Sequence, residues 1–159
     1  MRGFDRSLPM ALWRAREQVM GFFRPLLNEH GLTEQQWRIV RVLHEHDDME
    51  FQQLAKIACL QPPSLTGILT RLERLRLARR GKVAGDQRRL HVSLTSAGKA
   101  RHALISRQME LRYRDIESQF GQRRLATLFR LLESTLELSP PHSTSAAPAR
   151  TRAKRKVKS

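Results

Sequence analysis

Directly after Pro62 and Pro63, the chain sets Ser64, Thr66, Gly67, Thr70, Arg71 and Arg74 opposite Leu65, Ile68, Leu69, Leu72 and Leu75 at helical spacing. Proline is tolerated only in the first turn of a helix, where its missing N–H would go unpaired anyway, so a helix starts here. Short hydroxyls and guanidiniums on its outward side are groups that touch phosphates and base edges. A threonine methyl suits a thymine methyl, and an arginine can bind guanine through two hydrogen bonds. The spacing therefore predicts Ser64, Thr66, Thr70, Arg71 and Arg74 as a DNA-facing set, although the same positions would equally suit a helix that meets only solvent.

Other groupings carry less chemistry. His44, Glu45, His46, Asp47 and Asp48 look like metal ligands in print, but helical neighbours two apart do not share a face and the HExxH spacing is absent. Cys59 is the only cysteine and stands beside Leu60, so packing fits it better than a redox role, and no disulfide framework can form. No glycine-rich phosphate loop, nucleophile elbow or pair of catalytic acids appears, so the chain is expected to be no enzyme and to need no cofactor or metal.

The charge balance supports a polyanionic partner. In 159 residues, 30 Lys and Arg face 15 Asp and Glu, a formal charge of +15. From Ser139 onward the chain is rich in Pro, Ser and Ala and has no acidic residue, which predicts a disordered tail over 139–159. That tail holds six cations (Arg150, Arg152, Lys154, Arg155, Lys156 and Lys158), leaving +9 on residues 1–138. It can be a solubilising end or an arm along phosphates, and the arm is favoured. The opening MRGFDRSLPM lacks the apolar run of a signal peptide, and no stretch is long enough to span a bilayer, so a cytoplasmic protein without a membrane partner is expected.

The elements that must position these groups are mostly helical. Leu8, Leu12, Ala15, Val19, Phe22 and Leu26 predict one long amphipathic helix. Thr33 before Glu34, Gln35 and Gln36 makes a capping box, opening a helix with Trp37, Val40 and Leu43 on one face that runs to about His46. A short helix over Gln52 to Ala58, with Leu54, Ile57 and Ala58 inward, precedes the one at Pro62. Together they form a helix-turn-helix.

Alternation of Leu90, Val92 and Leu94 then predicts a strand, with Arg79 to Val83 as its partner and Ala84 to Arg88 as the loop between them. Ser96 caps a helix from Ala97 to about Gln119 with Ile105, Met109, Ile116 and Phe120 on a common face. Leu125, Leu128, Leu132 and Leu136 mark a last helix. The apolar stripes at the two ends of the chain have little to pack against in one copy. A homodimer would bury them and would set two reading helices a fixed distance apart for a pseudo-palindromic operator on double-stranded DNA.

Three stretches, LTEQQWRIVRVL, PSLTGILTRLERL and GDQRRLHVSLTSAGKA, together with SLPMALWRAREQVMGFFRPLL, give the chain a resemblance to the multiple antibiotic resistance regulator (MarR) family over Ser7 to Leu138. The resemblance implies a mainly α winged helix-turn-helix with a small β-hairpin and terminal dimerisation helices. In subgroup the chain is most similar to repressors of aromatic-acid (homoprotocatechuate or 4-hydroxyphenylacetate) catabolic operons. Two departures stand out. Gly67 occupies a position where relatives often carry a basic or large residue, and Arg76 stands where they commonly have the glycine of a helix stop.

The resemblance also implies roles for particular residues. The arginine of the D-x-R pattern, Arg88 with Arg89 beside it, would enter a minor groove while Asp86 holds the loop. Relatives in aromatic catabolism leave DNA when a small aromatic acid enters a crevice between the dimerisation helices and the winged domain. Such a ligand needs a cation and an aromatic wall. Arg16, at the border of the first apolar stripe, is the leading cation and Arg41 a second, with Trp13, Met20, Phe23 and Trp37 as the wall. Taken singly, those aromatics fit a core better than a ligand wall, because apolar stripes at helical spacing usually pack inward, while Arg16 suits an interhelical ion pair as well as a ligand. Two other functions stay open: an architectural protein that coats DNA without reading it, and a metal or redox stress sensor of the same family.

Overall fold

The computed structural model describes residues 3–83 and 86–138, apart from the side chains of residues 5, 82, 83 and 86–89. A 3-10 turn at Phe4–Arg6 leads into α1 (Leu8–Met20), α2 (Arg24–Glu29), α3 (Glu34–His46), β1 (Asp48–Glu50), α4 (Phe51–Ile57), α5 (Pro62–Arg74), β2 (Ala78–Val83), β3 (Asp86–Leu94), α6 (Ser96–Phe120) and α7 (Gln122–Leu136). A boundary between Gln119 and Phe120 divides the chain into two compact units. The tail, residues 139–159, lies outside the described residues.

The single first helix expected over Leu8 to Leu26 is two helices. Pro25 stands in the first turn of α2, and within a continuous helix its ring would meet the carbonyl four residues back, so the chain turns at residues 21–23 before starting again. Thr33 and Gln36 close the capping box at the start of α3: the Thr33 N–H donates to Gln36 Oε1 at 2.9 Å, and the Gln36 N–H to Thr33 Oγ1 at 3.2 Å.

The expected hairpin is the larger part of a three-stranded antiparallel sheet in the order β1-β3-β2. Met49 of β1 pairs with Val92, which also pairs with Arg80 of β2. Met49, Ala78, Val92 and Leu94 are buried, so one face of the sheet joins the core. Alternation alone starts β3 at Arg89; the strand begins three residues earlier at Asp86, which pairs with Val83.

Three helices stop in the same way. At Gly31, Cys59 and Arg76 the backbone turns left-handed, with φ of 67°, 52° and 57°. In each case the next residue's N–H reaches back to the last turn: Leu32 to the Leu27 carbonyl, Leu60 to Ala55 and Leu77 to Leu72, each at 2.9 Å. Arg76 thus adopts the conformation that glycine accepts without cost, at about 1–2 kcal/mol for an L-residue. Cys59, expected to be buried, is exposed because the same stop turns its side chain outward.

The stop of α5 is locked to the start of α6. The helix cap is Thr95, not Ser96: its hydroxyl donates to the Arg76 carbonyl at 2.6 Å and accepts from the Gly98 N–H at 3.0 Å. The Thr95 N–H donates to the Leu77 carbonyl at 3.0 Å. Gly98 is buried against that carbonyl, and a Cβ there would stand 2.0 Å from its oxygen.

The core lies in the first unit, centred on Leu27, Ile39, Leu43, Leu54, Leu65, Leu69, Leu72 and Ile105. Ile57, Leu75 and Phe120, expected on inward faces, are exposed, each standing at or beside the end of its helix where the packed face has run out. Neither α1 nor α7 buries any residue.

Candidate nucleic-acid interface and aromatic cavity

Helix α5 is held by Leu65, Ile68, Leu69 and Leu72, all buried, which turns Ser64, Thr66, Thr70, Arg71 and Arg74 to the exterior. The threonines are already oriented: the Thr66 hydroxyl donates to the Pro62 carbonyl at 3.1 Å and the Thr70 hydroxyl to the Thr66 carbonyl at 3.0 Å. With their protons committed, they offer a methyl and a lone pair outward. Arg71 and Arg74 are both exposed. A Cβ on Gly67 would meet nothing within 4 Å, so the glycine leaves open surface and serves no close contact.

A clamp ties α5 to β2. The Arg80 backbone N–H and its Nε–H donate to Glu73 Oε1 at 3.1 and 3.0 Å, its Nη2 donates to Glu73 Oε2, and Nη2 also reaches Thr70 Oγ1 at 3.4 Å. The Arg80 guanidinium holds the Glu73 carboxyl below the ordinary carboxylate range. This pair fixes the angle at which the hairpin leaves the helix and, through Thr70, orients a side chain of the outward face. Asp86, Arg88 and Arg89 lie on β3, but their side chains fall outside the described residues.

The residues expected to meet an aromatic acid do not all converge. Arg16 belongs to a closed ring of four charges. Its Nη1 donates to Glu17 Oε1 at 2.7 Å, Glu17 Oε2 accepts from Arg24 Nη2 at 2.6 Å, and Glu34 accepts from both arginines. The ring staples α1 and α2 to the first turn of α3. Burial opposes the Glu34 charge, but the hydrogen bonds from Arg24 and Arg16 outweigh it and hold its carboxyl below the ordinary range. Arg16 also sits above the exposed Trp13 ring, 5.6 Å from its centre. Met20 is half-buried against the core, and Phe23 is buried with its ring centre 4.9 Å from that of Tyr113.

Trp37 and Arg41 do come together, in a cavity of about 260 Å³ between α3 and α6. Trp37 supplies a buried wall. Arg41 is exposed and only loosely paired with Glu45 at 3.8 Å, so its charge is available. The far side is built by His102, Ser106, Met109 and Tyr113, which share one stripe of α6 at helical spacing, and His44 closes the cavity on the α3 side. The sequence places Met109 on an apolar face and His44 in a discounted metal-like run, but His102, Ser106 and Tyr113 were not expected at a cavity. The signal for them is the helical spacing of His102, Ser106, Met109 and Tyr113, a stripe of mixed polarity that apolar periodicity alone does not mark.

A larger, open groove of about 790 Å³ flanks the sheet and carries Asp47, Asp48, Arg79, Arg80, His91 and Lys99. Its polar side chains are engaged: Lys99 with Asp47 at 2.9 Å, His91 with Asp48 at 3.0 Å, Arg80 with Glu73, and Arg79 with Ser93 at 3.1 Å. No Phe, Tyr or Trp lines it, so it lacks the wall that a ring requires. The same pairing disperses the acidic end of the His44 to Asp48 run, and among the described residues no three potential ligands converge as for a metal ion.

The MarR family model matches residues 32–90, from the start of α3 into the hairpin. The homoprotocatechuate degradative operon repressor of Escherichia coli is 50% identical over 132 residues, covering 83% of this chain and 89% of the relative. The chain belongs to the MarR family. Solved MarR-type structures agree with the fold. The transcriptional regulator PA4135 superposes with a TM-score of 0.79 at 48% identity, covering 84% of this chain and 98% of that one. NadR in complex with 4-hydroxyphenylacetate superposes with a TM-score of 0.75 at 40% identity, covering 82% and 96%. As in other MarR-family regulators, α4 and α5 are the helix-turn-helix, with β2 and β3 as its wing. No helix among the described residues is long and apolar enough to cross a membrane.

Proposed function

We propose that this MarR-family regulator is a cytoplasmic, dimeric repressor, without enzymatic activity, of an aromatic-acid catabolic operon, and that a small aromatic acid entering the α3–α6 cavity releases it from its operator. The observation that carries this reading is the pairing of a loosely held cation, Arg41, with Trp37 and Tyr113 in one cavity, which is what a carboxylate on an aromatic ring needs. The 50% identical relative is named for homoprotocatechuate degradation, and the 40% identical NadR was solved with 4-hydroxyphenylacetate.

Ser64, Thr66, Thr70, Arg71 and Arg74 would meet the major groove, and Arg88 and Arg89 the minor groove with Asp86 holding the loop between them. The exposed apolar residues of α1 and α7 would be covered by a second copy. Residues 1–138 would form the regulator proper, and the basic tail over 139–159 would add salt-sensitive affinity without preference. A ligand that bound the free and the DNA-bound forms equally would release nothing, so the acid must favour the form whose reading helices are wrongly spaced.

Calorimetric titration of the full-length protein with 4-hydroxyphenylacetate, 3-hydroxyphenylacetate and homoprotocatechuate should give saturable heat with at least one. No heat from any of them contradicts the choice of effector. Competition with random DNA separates a repressor from a coating protein, since a repressor should prefer its operator at least about a thousandfold at physiological salt.

A further inference from the structure

One feature of the α3–α6 cavity exceeds what holding a carboxylate on Arg41 requires. His44 and His102 are stacked ring on ring, with centres 3.7 Å apart and planes 23° apart, and His102 lies nearly parallel to Trp37 at 5.3 Å and 17°. Nε2 of His102 is 3.2 Å from the Ser106 hydroxyl, whereas its Nδ1 is buried and has no hydrogen-bond partner among the described residues. Two imidazolium rings at this separation repel each other, so a second positive charge is disfavoured once one of the pair has taken up an added proton.

The surroundings of the pair decide when it holds that proton. Arg41, His44 and Glu45 face His102 from α3, and Glu110 and Tyr113 share the cavity from α6. Burial first, then His44 and Arg41, push His102 below the ordinary histidine range, with Glu45 opposing them. The protein's own groups therefore disfavour an imidazolium at His102. A carboxylate brought beside Arg41 adds a negative charge next to the stack and reverses that balance.

We propose that the His44–His102 pair is a proton-coupled anion acceptor, so that a carboxylate ligand seated between Arg41 and the stacked imidazoles is bound together with one proton. The inference rests on the reading of this cavity as the effector site. A carboxylic acid with an ordinary pKa stays ionised from about pH 6 to 8, so the proton is taken up by the protein and not carried in by the ligand. Because the ligand-bound pair holds its proton more tightly than the free pair, affinity rises as pH falls. The limiting slope is about tenfold per pH unit, and the dependence levels off above the bound pair's titration and below that of the free pair. The regulator would then respond to an aromatic acid more readily in a mildly acidified cell.

The test is calorimetric titration of the full-length protein with 4-hydroxyphenylacetate in phosphate and in Tris, whose ionisation enthalpies differ, repeated at about pH 6.5 and 7.5. The expected result is uptake of close to one proton per cavity near neutral pH, with affinity at least about threefold tighter at the lower pH. The double variant His44→Gln with His102→Gln should lose the uptake, while Arg41→Ala should bind more weakly and keep it.

The imidazole C2–H resonances of the unmodified protein, titrated with and without 4-hydroxyphenylacetate, give the same answer without relying on the folding of a variant: one histidine should titrate at higher pH in the complex. Binding with heats that do not depend on buffer, together with unmoved histidine titrations, overturns the proton coupling and leaves the effector reading intact. Uptake that persists in the double variant also overturns the assignment to this pair. Absence of binding by 4-hydroxyphenylacetate, 3-hydroxyphenylacetate and homoprotocatechuate alike, at every pH, removes the effector reading and this inference together.

Discussion

Helices α1 and α5 are each 13 residues long, each carries proline in its first turn, and each has an apolar stripe at helical spacing. Yet α5 buries Leu65, Ile68, Leu69 and Leu72, while α1 buries nothing and leaves Leu8, Leu12 and Val19 exposed. The difference lies in what surrounds each helix. The stripe of α5 faces a core that this chain supplies, and its polar face is therefore free to be a reading surface. The stripe of α1 waits for a surface that this chain does not supply within its own unit. An apolar stripe says that a helix will be covered, without saying by which copy.

The strongest way to break the α5 side is at its stop. Gly98→Ala puts a Cβ 2.0 Å from the Leu77 carbonyl oxygen, a backbone atom that Thr95 already holds. Relief requires α6 to move off the end of α5, so a loss of about 3 kcal/mol or more is expected in urea unfolding, at the upper end for single substitutions. Leu69→Ala should cost about 2–5 kcal/mol, because the side chain is fully buried. Its effect should be the same at low and high protein concentration. Leu12→Ala should instead shift the dimer–monomer balance in sedimentation, and a wild-type protein that stays monomeric at every concentration would break the contrast between the two helices.

Function should follow the polar face. Arg71→Ala and, on the wing, Arg88→Ala should each weaken operator binding by about 1–3 kcal/mol in gel-shift titrations, with unchanged circular dichroism. A variant that keeps full affinity removes its residue from the interface.

The clamp behind that face predicts a pH dependence. Glu73 has its folded pKa below the ordinary 4.5, so its contribution is present above that value and is lost as pH falls towards the folded one. Glu73→Gln should therefore cost on the order of 1 kcal/mol at neutral pH, and its stability curve should converge with that of the wild type in acid. Parallel curves down to low pH would mean that the clamp contributes nothing. The smallest effect is expected at Gly67, where open surface lets Gly67→Ala raise stability by about 0.5–1 kcal/mol through helix propensity, read as a higher melting temperature.

Much of this is legible in the sequence. Pro62 with Pro63 announced α5, Thr33 with Gln36 announced α3, and the alternation of Leu90, Val92 and Leu94 announced β3, because each is a local rule satisfied locally. What escaped depended on distant partners. A strand as short as Asp48–Glu50 has no room to show alternation, and it exists because β3 offers it an edge.

Thr95 takes the cap from Ser96 because its hydroxyl is also tied to Arg76, a contact that spans 19 residues. Of the groups that the resemblance implies for an effector, Trp37 and Arg41 line one cavity from α3. Arg16 was drawn off by Glu34, and the α6 side of the cavity mixes His, Ser, Met and Tyr in a stripe that apolar periodicity does not mark.

The central claim is that an aromatic acid in the α3–α6 cavity releases this MarR-family protein from DNA. Fluorescence anisotropy of a labelled operator with the full-length protein, titrated with 4-hydroxyphenylacetate, 3-hydroxyphenylacetate and homoprotocatechuate up to about 10 mM, tests it most directly, since a site with a Kd of about 1 mM is only half filled at about 1 mM. The expected result is release by at least one of the acids from the wild type, with Arg41→Ala binding the operator normally but needing at least about tenfold more acid, the equivalent of one lost charge-assisted bond. Operator occupancy that none of the three acids changes at any concentration, or an Arg41→Ala protein that responds just as the wild type does, would contradict the claim.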